Sequence, residues 1–479
     1  MSESSLKEVE LSTLDPAWFK EVLHADAMRG FEEALVRARE LLEGKTLWHV
    51  NSTAQGGGVA EILQSVLGYL TGAGIRPRWM VIRGTKEFFD ITKRIHNLLH
   101  GKTGDGGELG EEERSIYEET LRPQAEEFCG LVQPGDVVVV HDPQPAGLVP
   151  LLLKREARVI WNCHVGIDEP NDLSRGAWDF LMPYVSAAQA QVFSRKAYVW
   201  EGLSEETISV IPPCIDAFSP KNHAMDDKTV TAILSVADIQ EGAPGGKPTF
   251  LRQGRSVGKV ARRADVIEDV PTPASAPLVL QVSRWDRLKD PIGVLRGFAD
   301  QVDRDLGAHL ILAGPASSTI ADDPEAEEVV AEVRKVRDDL PASVRERTHL
   351  AYVPMDDLEE NAAIVNALQR RADVIVQKSI AEGFGLTVAE GMWKERPVVG
   401  SRVGGIQDQI DHGRTGLLID DPEDLAEFGA AVTTLLEDPK SAARMGKAAR
   451  QRVLDEYLIP HYLTRYIELI DLVAGSAAG

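Results

Sequence analysis

Cysteine is nearly absent from this chain of 479 residues. The three that occur, Cys129, Cys163 and Cys214, have neither zinc-site spacing nor the density of a disulfide framework. A small stapled scaffold is thereby excluded, and a reducing compartment fits. Positive charge is also scarce: 52 Lys and Arg stand against 75 Asp and Glu, for a formal net charge of −23. That balance argues against anionic partners such as nucleic acid or an acidic membrane surface, while leaving room for a local basic pocket that binds an anionic substrate. No apolar run approaches the ~18–20 residues that span a bilayer. The opening MSESSLKEVELSTLDP is polar and acidic, unlike a secretory or transit peptide. A cytoplasmic protein with no membrane and no nucleic-acid partner is the expectation.

What the chain does contain is a pattern of short β-branched runs alternating with amphipathic segments, the mark of parallel α/β sheets. Its length exceeds what one compact core holds, so two domains are expected. A first series of strands runs through TLWHV (46–50), RWMVI (78–82), DVVVVH (136–141), RVIWNC (158–163), QVFS (191–194) and ISVI (208–211). After the first of these, Val59, Ile62, Leu63, Val66, Leu67 and Leu70 repeat at helical spacing. A second series follows in LVLQVS (278–283), HLILAG (309–314), THLAYV (348–353), DVIVQ (373–377), PVVGS (397–401) and GLLI (416–419). The fold class is therefore α/β, with two doubly wound, Rossmann-like parallel sheets.

Residues 220–277 separate the two series and show the least regular pattern. Their centre is rich in Gly and Pro and carries Arg252, Arg255, Lys259, Arg262 and Arg263, which reads as an insertion on the surface. The GRSVGK within it is not a P-loop: a residue is missing between the glycines, and Val260 stands where Ser or Thr would hold magnesium. The expected organisation is an N-terminal domain over 1–219, a linker and insertion over 220–277, a second domain over 278–457, and a final helix over 458–479.

Four groups of residues carry chemistry. KSIAEGFGLTVAEG (378–391) follows the strand DVIVQ, and ligands in open parallel sheets sit at the carboxyl ends of strands. Gly383 and Gly385 let backbone approach a ligand, and the amides around Phe384, Gly385, Leu386 and Thr387 open a helix N-terminus suited to a diphosphate. Glu382 and Glu390 flank that turn, and a carboxylate accepts two hydrogen bonds from a vicinal diol, so one suits a sugar ring and the other a ribose. SRWDRLKD (283–290) leaves the strand LVLQV with Arg284 and Lys289, two cations that would neutralise a diphosphate. STAQGGGVAE (52–61) places Gly56, Gly57 and Gly58 at another helix N-terminus, without the G-x-G-x-x-G of a dinucleotide fold. HDPQPAG (141–147) and NCHVGID (162–168) supply His141, Asp142, Gln144 and His164 at two strand ends, groups suited to binding hydroxyls. No metal-ligand cluster and no Gly-x-Ser-x-Gly elbow is present, so no metal is called for and a serine hydrolase is unsupported.

Over nearly the whole chain outside 230–275, these blocks resemble the retaining GT-B glycosyltransferases of family 4. The broader class is marked by the Glu-x7-Glu block with Arg284 and Lys289. HVNSTAQGGGVAEIL, KEFFDITKRIHNLLHG and VVVHDPQPAGL are narrower, and are similar to the trehalose synthases that join a nucleotide-activated glucose to free glucose. The resemblance implies two facing Rossmann-like domains, with the last helix crossing back to the first. It implies that Arg284 and Lys289 hold the donor diphosphate, Glu390 the ribose and Glu382 the transferred glucose, with Gly57 and Gly58 approaching the donor. His164 would bond the donor sugar near its 6-hydroxyl and Asp142 would position the acceptor. Phe89, Thr92, Lys93 and Asn97 would shape the acceptor end, together with His141 and Gln144. The donor would be ADP-, UDP- or GDP-glucose, a substrate and not a bound cofactor, and the partners small molecules, with a homodimer compatible. Two departures from the family are the basic insertion and the VGID after His164. Rival readings are a trehalose phosphorylase, another α-glycosyltransferase and a nucleotide-sugar epimerase.

Overall fold

The computed structural model describes residues 6–242, 245–316 and 324–475. The outermost parts of the expected first domain and last helix (1–5 and 476–479), and residues 243–244 of the insertion, lie outside the described residues. The chain forms two compact units: Met1–Cys214 together with Ile459–Gly479, and Ile215–Leu458.

The N-terminal unit is built on a sheet of seven strands: β1 (Leu6–Val9), β2 (Leu47–Asn51), β3 (Pro77–Ile82), β4 (Val137–His141), β5 (Arg158–Cys163), β6 (Ala190–Phe193) and β7 (Ile208–Val210). Their order is β1-β3-β2-β4-β5-β6-β7. All pairs are parallel except β1 with β3, which runs antiparallel with Leu6 opposite Ile82. β2 and β4 are buried along their full length, as strands covered on both faces must be. Helices follow where polar caps permit: Thr85 Oγ1 accepts from Phe88 N at 3.2 Å to start Lys86–Leu99, and Asn171 and Ser174 form a capping box for Asp172–Val185. The final helix, Ile459–Gly475, belongs to this unit. It buries Tyr462, Leu463, Tyr466, Ile467 and Ile470, and its Asp471 takes both ends of the Arg37 fork from helix Ala25–Leu41 at 2.7 and 3.0 Å.

The second unit adds β8 (Thr249–Leu251), β9 (Val257–Lys259), β10 (Asp265–Ile267), β11 (Leu278–Val282), β12 (His309–Pro315), β13 (Thr348–Val353), β14 (Val374–Gln377), β15 (Val398–Ser401) and β16 (Leu417–Ile419). Its main sheet is ordered β10-β13-β12-β11-β14-β15-β16, parallel except for the edge strand β10. The stretch expected to be irregular is ordered by its charges. It forms helix Asp227–Val236, the β8–β9 hairpin and β10. Arg252 grips Asp357 and Glu359 at 2.7 and 2.6 Å, and Arg262 pairs with Glu360. GRSVGK is the hairpin's turn and second strand, with Arg255 in the left-handed region at φ 60°.

Strand order reverses direction between β2 and β4 in the first sheet and between β11 and β14 in the second. At such switch points two neighbouring strands send their connections to opposite faces and leave a crevice at their carboxyl ends. Every block singled out for chemistry except helix Lys86–Leu99 leaves a strand at or next to one of these two points. Among the described residues, no helix is long and apolar enough to cross a membrane.

Candidate active site

In the second unit, β11 and β14 lie side by side, with Val279 opposite Val374. Their carboxyl ends bring residues 283–290 and 378–385 together: Ile380 N donates to Leu288 O at 2.8 Å. Lys289 Nζ lies 2.5 Å from Glu382 Oε2, with 16% and 11% of the two side chains reaching solvent. The same carboxylate oxygen has Ser379 Oγ at 3.3 Å and Gln377 Nε2 at 3.4 Å. Gln281 Nε2 donates to Lys289 O at 2.7 Å, fixing the backbone from which the lysine springs. Beside it, the fully buried Lys378 forms an ion pair with Asp290, which sits at φ 48° and caps the following helix Pro291–Gln301 through Gly293 N. Arg284 stands apart from this group, 65% exposed and paired with Asp286 at 3.1 Å.

The GFGLT turn opens the helix Leu386–Trp393 from Gly385, whose φ of 85° a side chain would strain. Gly405 packs so closely beneath the turn that a Cβ there would come within 2.6 Å of Phe384 Cα. Gln409 Nε2 holds Phe384 O at 2.6 Å, so the turn is rigid from below where it meets the helix N-terminus. On that helix Glu390 is 1% exposed. Gln369 Nε2 donates to its Oε2 at 3.0 Å, and Lys221 Nζ lies 3.3 Å from its Oε1. Burial pushes the Glu390 carboxyl upward, but the Lys221 and Lys394 ammonium groups outweigh it and hold the group below its ordinary value. The result is a buried carboxylate kept charged by neighbouring ammonium groups.

In the N-terminal unit, the adjacency of β2, β4 and β5 gathers three strand ends. Gly56 and Gly57 take φ of 74° and 133° before helix Gly58–Gly72, with open space where a Cβ would point. Asp142 is itself left-handed at φ 65°, and its Oδ1 accepts the His164 amide at 2.8 Å. Tyr117 pins the loop after β4, donating to Pro143 O at 2.7 Å and accepting from Gly147 N at 2.9 Å. Gln144 is half-buried beside it. His49, His141 and His164 lie in a row. Burial pushes His49 down to about 3 and His141 well below the usual imidazole value, and it lowers His164 against the pull of Asp142. Among the described residues, no group of three His, Cys, Asp or Glu is arranged to hold a metal ion.

Helix Lys86–Leu99 reaches the loop after β5, since His100 Nδ1 lies 3.0 Å from Gly166 O and Asn171 Nδ2 donates to Gly101 O at 3.1 Å. Of the residues expected at the acceptor end, Phe89 and Lys93 are exposed and Asn97 is half-buried. Thr92 instead faces the core, 1% exposed, with its hydroxyl on Phe89 O. His141 is equally buried, and both its ring nitrogens are engaged by the neighbouring histidines, leaving no polar atom for a ligand. Sequence reasoning missed His49, Lys378, Asp290 and Lys221. Each depends on a partner more than 80 residues away, and Lys221 lies besides in the linker.

Two doubly wound parallel sheets, each presenting a glycine turn and a helix N-terminus at its switch point, define the GT-B class of glycosyltransferases. Residues 49–200 match the family described as trehalose synthase, N-terminal domain, and residues 263–452 match glycosyl transferases group 1. A trehalose synthase of Thermococcus litoralis is 35% identical over 95% of this chain and 96% of its own length. A trehalose phosphorylase of Pleurotus sajor-caju is 27% identical over 80% of this chain, but over only 52% of its own. Among solved structures, trehalose-6-phosphate from E. coli bound with UDP-2-fluoro glucose is similar in fold, with a TM-score of 0.64 at 13% identity over 89% of this chain and 99% of that one. The chain belongs to the trehalose synthase family of glycosyltransferases.

Proposed function

We propose that the protein moves glucose from a nucleoside-diphosphate-glucose to free glucose with retention of configuration, giving α,α-trehalose in a reversible reaction. The observation that carries this reading is the Lys289–Glu382 pair standing at the switch point beside the helix that opens at Gly385. A cation, a row of backbone amides and a carboxylate are what a diphosphate attached to a sugar requires. The name of the Thermococcus litoralis relative and the UDP-2-fluoro glucose of the E. coli structure support the choice of substrate class.

In this reading Lys289, Arg284 and the amides of Gly383, Phe384, Gly385, Leu386 and Thr387 take the diphosphate. Arg284, being exposed, swings in when the ligand arrives. Glu390 accepts a ribose hydroxyl on the oxygen that faces Lys221, and Glu382 exchanges part of its bond to Lys289 for the hydroxyls of the glucose. Gly57 and Gly58 leave room for the donor, His164 bonds the transferred sugar, and Asp142, Gln144, Phe89, Lys93 and Asn97 serve the acceptor. Glu382 is neutralised by Lys289 and tied to Ser379 and Gln377, a setting for binding and not for nucleophilic attack. A same-face substitution follows: the leaving phosphate oxygen takes the acceptor's proton, while Lys289 and the amides stabilise the charge that develops on it.

The test is a panel of ADP-, UDP- and GDP-glucose incubated with free glucose, with the product identified by NMR. α,α-Trehalose and one equivalent of nucleoside diphosphate are expected. The Pleurotus sajor-caju relative makes phosphorolysis the second reading. Trehalose breakdown supported by inorganic phosphate and not by nucleoside diphosphate would establish it, and interconversion of donor sugars without acceptor would indicate an epimerase.

A further inference from the structure

His49 on β2, His141 at the end of β4 and His164 after β5 form a continuous row across the sheet of the N-terminal unit. His49 Nδ1 lies 2.9 Å from His141 Nε2, and His141 Nδ1 lies 3.5 Å from His164 Nε2. The ring planes differ by 21° and 12°, with centroids 5.2 and 5.8 Å apart. In each contact the centroid separation exceeds the N···N distance by about one ring width. The imidazoles therefore meet edge to edge and share protons along a line.

A neutral imidazole carries one N–H and one bare nitrogen. In a row joined Nδ1 to Nε2, the protons must all sit on Nδ1 or all on Nε2, because a mixed row sets two donors or two lone pairs against each other. Burial keeps His49 and His141 neutral, so no imidazolium interrupts the row. Both ends favour the same direction. At the inner end, His49 lines a cavity with the phenols of Tyr462 and Tyr466, and about 20 Å³ of it is open, room for a single water. Asn162 Nδ2 donates to the Tyr466 hydroxyl, and burial keeps both phenols protonated, so proton donors stand in the same cavity that His49 lines. At the outer end, Asp142 Oδ1 holds the His164 amide at 2.8 Å, and its charge raises the proton affinity of the ring, which favours an N–H on Nδ1, the nitrogen nearer the backbone.

We propose that His49 and His141 are positioning residues that fix His164 as its Nδ1–H tautomer, so that it presents a hydrogen-bond donor to a hydroxyl of the transferred sugar. The sugar contact rests on the transferase reading above; the locked row does not. A tautomer held in advance removes the need to select it at each turnover, which is how a buried partner assists a histidine it orients.

Histidine-selective ¹⁵N labelling reads the tautomers directly: wild-type protein at neutral pH should show His141 and His164 protonated on Nδ1. His49→Phe fills the space but removes the donor. It should leave His164 in mixed tautomers and lower kcat about tenfold, a common cost for losing a group that orients a functional histidine. His49→Asn, whose amide can donate from the Nδ1 position, should restore kcat to within about threefold of wild type. A wild-type spectrum with His164 protonated on Nε2 would overturn the proposal, as would a His49→Phe variant that keeps both its tautomer and its kcat. If His49→Phe does not fold, the wild-type spectrum decides alone. A His164→Ala variant that transfers glucose at the wild-type rate would refute the sugar contact, and the spectrum would still test the row.

Discussion

Lys289→Met keeps most of the lysine's volume and deletes its charge. Glu382, 11% exposed, would keep Ser379 Oγ at 3.3 Å and Gln377 Nε2 at 3.4 Å. Removing one partner of a fully buried ion pair costs about 3–5 kcal/mol. Here part of each side chain reaches solvent and two polar neighbours remain, so a loss of about 1–3 kcal/mol is expected. Turnover should fall further, by ~10²–10³, as when one preorganised stabiliser of a leaving group is removed. The double variant Lys289→Met/Glu382→Gln replaces the ion pair by a neutral pair. It should recover most of the lost stability and none of the turnover, so that the two quantities part company. Urea unfolding gives the first, and initial rates of nucleoside diphosphate release at saturating glucose give the second. A folded Lys289→Met protein working within threefold of wild type, or a double variant with turnover restored, refutes the reasoning.

Glu390→Gln should weaken nucleoside diphosphate binding about tenfold or more, the worth of a charge-assisted hydrogen bond, and calorimetry showing unchanged affinity excludes a ribose contact. Free glucose should be preferred to glucose 6-phosphate as acceptor, because a dianion needs converging cations while Arg94 and Arg195 are already spent on Asp105 and Asp168; a higher kcat/KM for the phosphorylated sugar refutes this. Arg252→Ala should leave turnover unchanged and cost about 1 kcal/mol at neutral pH, since the pair is partly exposed. Its hydrogen bond to Arg252 pulls the Asp357 carboxyl from 3.8 down to about 2. A depressed folded value stabilises above the unfolded one and is lost as pH falls through the folded one. The gap between wild type and Arg252→Ala should therefore close between about pH 4 and pH 2, as followed by unfolding at each pH.

The parallel strands were legible because burial on both faces writes itself as an unbroken β-branched run, as in VVVVH or LVLQV. The antiparallel edges were not. Leu6–Val9 reads L-K-E-V and Asp265–Ile267 reads D-V-I, and an edge strand with one wet face needs no such run. The glycine turns and the residues flanking them were visible for a similar reason, since a strand running straight into GFGLT leaves few alternatives. His49 was read as a strand residue within TLWHV, and nothing near it in sequence says otherwise. Its role comes from His141, 92 positions away, which only the order β2-β4-β5 places at its side. Lys378 stood inside the strongest motif and was still overlooked, because its partner Asp290 is 88 positions distant. The basic insertion looked like a loose elaboration since the acids that order it, Asp357, Glu359 and Glu360, lie on a helix about a hundred residues further on.

The helix Ile459–Gly475 fixes the order in which the protein can be finished. Its Tyr466 hydroxyl meets Asn162, a residue 304 positions earlier, and its Asp471 meets Arg37. A ribosome working from the N-terminus emits seven strands of the first sheet, then the whole of Ile215–Leu458, before it emits the segment that covers Leu47 and His49 of the sheet and Val66 of the helix Gly58–Gly72. During that interval the second unit can fold while the first waits with an apolar face uncovered, the kind of exposure that invites chaperones or aggregation. A chain that stops before Tyr466 would therefore damage the unit that was made first.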